Sequence, residues 1–141
     1  MQIEKIVTLP ATPTIVWRAL TDPVVTKRYY FGCEAVSDWE VGSPVAFSTG
    51  KGAKKKVHVT GEVTIVERPK RLGHTCIAAG ADKSTEIWVE YTLKRRTGAT
   101  ELHVVSGEFP DKKELKRHEN SWDKVLTKLE ALLAEGLELE G

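Results

Sequence analysis

The order of hydrophobic patterns along this chain predicts an α+β fold, a curved antiparallel sheet of about six to seven strands wrapped on one long C-terminal helix. Three observations carry that reading. Apolar residues alternate with polar ones through most of the chain, the period of strands with one dry face. From Pro110 the period changes, and Leu115, Trp122, Val125, Leu126, Leu129, Leu132 and Leu133 recur at steps of three and four, mostly along one face of a helix. Between the first strand and the rest stand two Pro-initiated starts, "TPTIVW" and "DPVVTK", which predict two short helices back to back. The late helix is the one large apolar stripe available to cover the sheet's dry face.

Taken in order, "MQIEKIVTL" (1–9) reads as a strand with apolar residues on both faces, covered on at least part of both sides, and Pro10 ends it. Thr12 is placed as an N-cap with Pro13 at the first helical position, and that helix runs to about Leu20. Asp22 and Pro23 repeat the signal for a second helix reaching Tyr29. "FGCEAVSDW" then reads as a strand, "VGS" as a turn, and "PVAFST" as the next strand. "GKGAKKK" (50–56) is a glycine-rich, basic hairpin loop. "VHVTGEVTIVE" alternates, with Val57, Val59, Val63 and Ile65 assigned to one face. "RPKR" and "GADKS" mark turns around "LGHTCIAA". "TEIWVEYTLK" sets Ile87, Val89, Tyr91 and Leu93 inward, and "TELHVVS" follows after "RRTGA". Gly136 is the expected stop of the last helix, and residues 136–141 are expected to form a frayed tail.

A chain of 141 residues fits one domain, 1–141, large enough for a proper core. Hydrophobic residues make up 40% and charged ones 29%, with a net charge of +1, so no global field recruits nucleic acid or an anionic surface. Two cysteines, Cys33 and Cys76, are too few for a disulfide scaffold and read as buried or half-buried thiols of a cytoplasmic protein in preference to a disulfide pair. No stretch approaches the ~18 consecutive apolar residues of a membrane span, and residues 1–10 lack a signal-peptide pattern. Neither a membrane nor a nucleic-acid partner is expected.

The stretches "LPATPTIVWRALTDPVVTKRYYFG", "SDWEVGSP", "GEVTIVERPKRL" and "SWDKVLTKLEALL" together resemble the activator of Hsp90 ATPase homologue-like (AHSA-type) family. That family sits within the START-like, or SRPBCC, superfamily. The resemblance runs from Ile3 to about Ala134, and "VWRALTDP" followed by "SDWEVGSP" is its most specific part. It implies a helix-grip fold, in agreement with the element order. It implies less about chemistry, because relatives bind small molecules, act as cyclases or assist a chaperone, and fold does not fix function.

The residues themselves offer no catalytic motif. There is no GxSxG, and no Ser or Cys stands in a recognisable triad pattern. "GKGAKKK" lacks the GxxxxGK[ST] order and opens no helix, so it is a solvated hairpin tip whose lysines could touch an acidic partner. The four histidines do not share ligand spacing, so no metal and no cofactor are expected. His58 and His103 fall in phase with polar residues, whereas His74 and His118 fall in phase with apolar ones. The inward set that could meet a ligand is Phe47, Val59, His74, Cys76, Tyr91, Leu102, His118 and Trp122, although core packing alone would account for most of it. Buried Tyr91 and Trp122 each need a polar partner, which a ligand or water could supply. Trp88, out of phase, is expected on the surface or in a protein contact. The first expectation for function is binding of a small hydrophobic or amphipathic molecule between the sheet and the C-terminal helix. The second is a protein-interaction module, co-chaperone-like or a homodimer, although these residues include no further segment to grip a large chaperone. The third is a cyclase- or hydratase-type enzyme using His74 or His118.

Overall fold

The computed structural model describes residues 1–136. The expected frayed tail, Gly136 apart, lies outside the described residues. Strand β1 (Ile3–Leu9) is followed by helices α1 (Pro13–Thr21) and α2 (Pro23–Tyr29). Strands β2 (Glu34–Ser37), β3 (Pro44–Thr49), β4 (Lys56–Glu67), β5 (Arg71–Ala78), β6 (Ile87–Arg96) and β7 (Ala99–Gly107) come next, then helix α3 (Lys112–Ala134). The strands form one sheet in the order β1-β7-β6-β5-β4-β3-β2, antiparallel at every step. β2 to β7 is therefore a meander, and β1 returns beside the last strand. The curved sheet and its long helix are the helix-grip architecture that the element order predicts.

Local chemistry explains the helix ends. Thr12 Oγ1 accepts the Ile15 N–H, Asp22 Oδ1 accepts the Val24 N–H, and Asp111 Oδ1 accepts the Glu114 N–H. Each bond satisfies one of the amides that a helix start leaves without a partner. Asp22 also ends α1, its own N–H returning to Arg18 O at 2.8 Å, so one residue joins the two helices. α3 buries Trp122, Val125, Leu126, Leu129, Leu132 and Leu133 and packs against β1 and α2.

Three sequence expectations change. β1 is covered on one face, not two: Ile3 and Leu9 are buried, but Ile6 is 59% exposed. "FGCEAVSDW" contributes only the four residues of β2, because Phe31 (φ 51°) and Gly32 (φ 74°) before it and Trp39 (φ 54°) after it are left-handed. The alternation in β4 breaks at a register shift between Val63 and Ile65. An extra residue there reverses the faces beyond it. Val66 joins the core, while Ile65 stands over Gly73, whose missing Cβ leaves it room.

Trp39 shows why the "SDW" and "TDP" segments belong together. Its indole is buried and donates Nε1–H to Thr21 O at 2.9 Å, at the α1–α2 junction. The Tyr29 hydroxyl donates to Ala19 O at 2.8 Å, and the Ala35 N–H donates to Thr26 Oγ1 at 2.9 Å. These three bonds fix α2 against α1 and β2, and so fix where the chain leaves α2 at Tyr30.

Candidate functional site

Tyr30 stands at the C-cap of α2 and closes a circuit of aromatic rings drawn from five elements. Its ring lies 5.1 Å from Phe47 of β3 and 6.2 Å from Trp122 of α3. Phe47 lies 5.7 Å from His74 of β5, His74 lies 6.2 Å from Tyr91 of β6, and Tyr91 lies 6.0 Å from Trp122. Strand register produces this: Tyr91 pairs with Leu72, two residues before His74 and on the same face, so the inward phase sets the rings on adjacent strands side by side. The Trp122 contacts are edge-to-face and the contacts through Phe47 are tilted, geometries favoured by the ring quadrupole. Phe47, His74, Tyr91 and Trp122 are buried, and Tyr30 is half-buried.

Cys76 borders this circuit, its thiol 3.3 Å from His74 Nδ1. The same Nδ1 lies 3.0 Å from Thr75 O. A carbonyl can only accept, so Nδ1 carries the proton and Nε2 of the neutral ring is a bare acceptor. Burial holds the imidazole below the usual histidine range, against a smaller opposing effect of the Thr75 bond. Burial, followed by the nearby Glu86 carboxylate, pushes the Cys76 thiol up to about 12. Burial likewise raises the Tyr30 and Tyr91 hydroxyls. At neutral pH the cluster therefore carries no charge: two phenols, a thiol, an indole and a neutral imidazole.

The polar tips of the circuit are unpaired. Among the described residues, Tyr30 Oη, Tyr91 Oη, Trp122 Nε1 and His74 Nε2 have no hydrogen-bond partner. Yet among the described residues the one fully enclosed side-chain nitrogen or oxygen left without a hydrogen bond is His103 Nε2, off-axis from Glu4 Oε2 at 2.9 Å. The four tips therefore border open space, and that space is where a ligand's polar groups would be met.

Of the other residues read from the sequence, Val59 pairs with Phe47 across β3–β4 and packs against the core. Leu102 is fully buried opposite Leu93, two residues along the inner row from the Tyr91–Val104 pair. His118 lies elsewhere: its ring stacks 4.6 Å from Phe109, with Nε2 3.8 Å from Glu114. Two wide surface grooves also lie elsewhere. One of about 550 Å³ is lined by Thr12 and Arg95–Ala99, and one of about 500 Å³ by Gly98 and the Thr127–Ala134 face of α3. Among the described residues no group of three or more His, Cys, Asp or Glu could hold a metal ion, and no helix is long and apolar enough to cross a membrane. Trp88 is half-buried on the outer face, beside Gly107.

Two residues position the site without having been among the inward set. Nothing local in the sequence shows that a helix cap projects Tyr30 between Phe47 and Trp122. Gly61 did carry a signal, a glycine inside an alternating strand, which marks close approach of a backbone. A Cβ there would stand 1.8 Å from Thr75 O, the carbonyl that fixes the His74 tautomer.

The family profile described as activator of Hsp90 ATPase homolog 1-like protein matches residues 10–134. No curated protein matches the sequence significantly. Among solved structures, protein MLL2253 from Mesorhizobium loti superposes with a TM-score of 0.80 at 23% identity, over 98% of this chain and 100% of that one. An Hsp90 activator from Plasmodium falciparum gives 0.75 at 19% identity, over 95% and 96%. DynU16, from the dynemicin biosynthetic locus, gives 0.80 at 24% identity, over 96% of this chain but 48% of that one. At these identities the likeness is one of fold.

Proposed function

Because the chain belongs to the activator of Hsp90 ATPase homolog 1-like family, whose fold sets a sheet around a helix, we propose that it binds a small hydrophobic or amphipathic molecule between the two. The observation that carries this is the aromatic circuit with its unpaired polar tips. A core built for stability alone pairs its buried donors and acceptors. Here four polar atoms on residues of one cluster have no protein partner. Apolar walls with a few convergent polar groups are the usual composition of a small-molecule site. Tyr30, the half-buried member, is the ring whose displacement admits a ligand.

The test is titration with N-phenyl-1-naphthylamine, an uncharged apolar fluorophore. Saturable enhancement at one site per chain, with quenching of tryptophan emission and a rise in melting temperature, is expected. The signal should fall in Phe47→Ala. Absence of saturable binding by this and other apolar probes would refute the reading.

A second reading, a protein-interaction module of the Hsp90-activator type, is supported by the family description and by the Plasmodium neighbour. The exposed Val24 and Phe31 at the two ends of α2 would supply contact area. Adding the protein to an Hsp90-class chaperone and measuring ATP hydrolysis tests it, and an unchanged rate would exclude it. A cyclase- or hydratase-type reaction has less support, because His74 and Cys76 are both held neutral and no carboxylate joins the ring contacts.

A further inference from the structure

The chemistry of the polar tips says more than that a ligand binds. It rests on the ligand-binding reading above, and it concerns which molecules the site accepts. Every ring in the circuit is neutral, and among the described residues no Lys, Arg, Asp or Glu takes part in its ring contacts or hydrogen bonds. The nearest stated charge is the Glu86 carboxylate, whose field reaches Cys76. An anion entering here loses its water, gains no counter-charge and meets a negative field, a large penalty. A cation would find ring faces but no carboxylate within the circuit.

The hydrogen-bonding inventory is also specific. Tyr30 and Tyr91 can donate or accept and Trp122 can only donate, whereas His74 Nε2, with Nδ1–H engaged by Thr75 O, can only accept. His74 is 2% exposed, so that acceptor is withdrawn from bulk water. No donor of the protein bonds this acceptor, so a ligand O–H or N–H entering the cluster would satisfy it. The imidazole is flanked by the rings of Phe47 and Tyr91 at 5.7 and 6.2 Å, and aromatic walls favour an aromatic partner, which can meet them face-on or edge-on.

We propose that the site selects an uncharged, flat, ring-bearing molecule carrying a hydroxyl, and that His74 Nε2 accepts the hydrogen bond from that hydroxyl. Fatty acids and other carboxylates are disfavoured by charge. Hydrocarbons lacking the hydroxyl bind more weakly, because they leave Nε2 unpaired.

Three probes of equal ring size test this at pH 7: naphthalene, 2-naphthol and 2-naphthoate, measured by tryptophan quenching and calorimetry. The expected order places 2-naphthol tightest, with 2-naphthoate weaker by about tenfold or more. In His74→Phe the advantage of 2-naphthol over naphthalene should collapse while naphthalene affinity is kept. Should that variant fail to fold, ¹⁵N spectra of the wild type carry the same information, since 2-naphthol must shift His74 Nε2 and leave Nδ1 protonated. If 2-naphthol and 2-naphthoate bind equally, or Nε2 does not shift, the selectivity is overturned while ligand binding stands. If none of the three probes binds, the ligand-binding reading falls as well.

Discussion

Replacing Gly61 with alanine tests the link between strand packing and the site most directly. The added Cβ would lie 1.8 Å from Thr75 O and 2.6 Å from its carbonyl carbon. These are backbone atoms of a central strand, so no side chain can swing aside. Restoring an ordinary carbon–oxygen contact requires β4 and β5 to part by about 1.5 Å, against a normal strand spacing of about 4.8 Å. Ladder bonds flanking this point would then stretch beyond hydrogen-bonding range. Losing about two bonds at ~1 kcal/mol each, with overpacking strain of ~1–3 kcal/mol, gives a destabilisation of roughly 3–5 kcal/mol. With an unfolding entropy near 0.3 kcal/mol/K for about 140 residues, the melting temperature should fall by about 10–17 °C. Thr75 O would also leave His74 Nδ1, freeing the imidazole to change tautomer. Differential scanning calorimetry and histidine ¹⁵N shifts at neutral pH read the two effects separately. A variant melting within about 3 °C of the parent, with an unchanged imidazole, would refute both the clash and its coupling to His74.

Trp122→Ala removes a buried indole that contacts Tyr30 and Tyr91, so urea denaturation should show a loss of about 3–5 kcal/mol. Tyr29→Phe deletes the bond to Ala19 O and should cost about 1 kcal/mol in the same assay, with the fold kept. Lys5 points inward on edge strand β1 but reaches Asp123 at 2.9 Å. Because the Asp123 carboxylate is 60% exposed and screened by solvent, Lys5→Met should change stability by less than about 1 kcal/mol while increasing aggregation measured by light scattering, as an edge strand loses its charge. Burial depresses His74, so the unfolded chain takes up its proton first, and stability should fall as pH drops below about 6.5. Cys76 has the opposite sign, raised to about 12, so stability should also fall as pH climbs past about 8.5. Denaturation midpoints across pH should lose the acid limb in part in His74→Phe and the alkaline limb in part in Cys76→Ser.

How much of this was legible in the sequence follows from what each signal depends on. The helix starts rest on Thr12, Asp22 and the prolines after them, which act on amides two or three residues away, so they could be read directly. The inward phase of Phe47, His74, Tyr91 and Trp122 needed only periods of two and 3.6, and the structure brings those four together. The failures began where geometry departs from a period. The register shift in β4 put Ile65 and Val66 on faces opposite to those that alternation assigns, because one inserted residue reverses everything beyond it. Left-handed Phe31 and Trp39 cut β2 short, and propensity gives little warning of a bulky aromatic at positive φ. Tyr30 was unreadable for a deeper reason. Its place in the circuit is fixed by Tyr29, Trp39 and Thr26 bonding to Ala19, Thr21 and Ala35, contacts that exist only once α1, α2 and β2 have met. His118 shows the converse. The helical period puts it one turn from Trp122, yet Phe109, delivered by the chain after β7, covers its ring and leaves it in a separate contact with Glu114. A period of 3.6 assigns a face of a helix, and the neighbour packed there decides what that face meets. Along α3 the neighbour at Trp122 is the aromatic circuit, and one turn earlier it is the connection that leads into the helix.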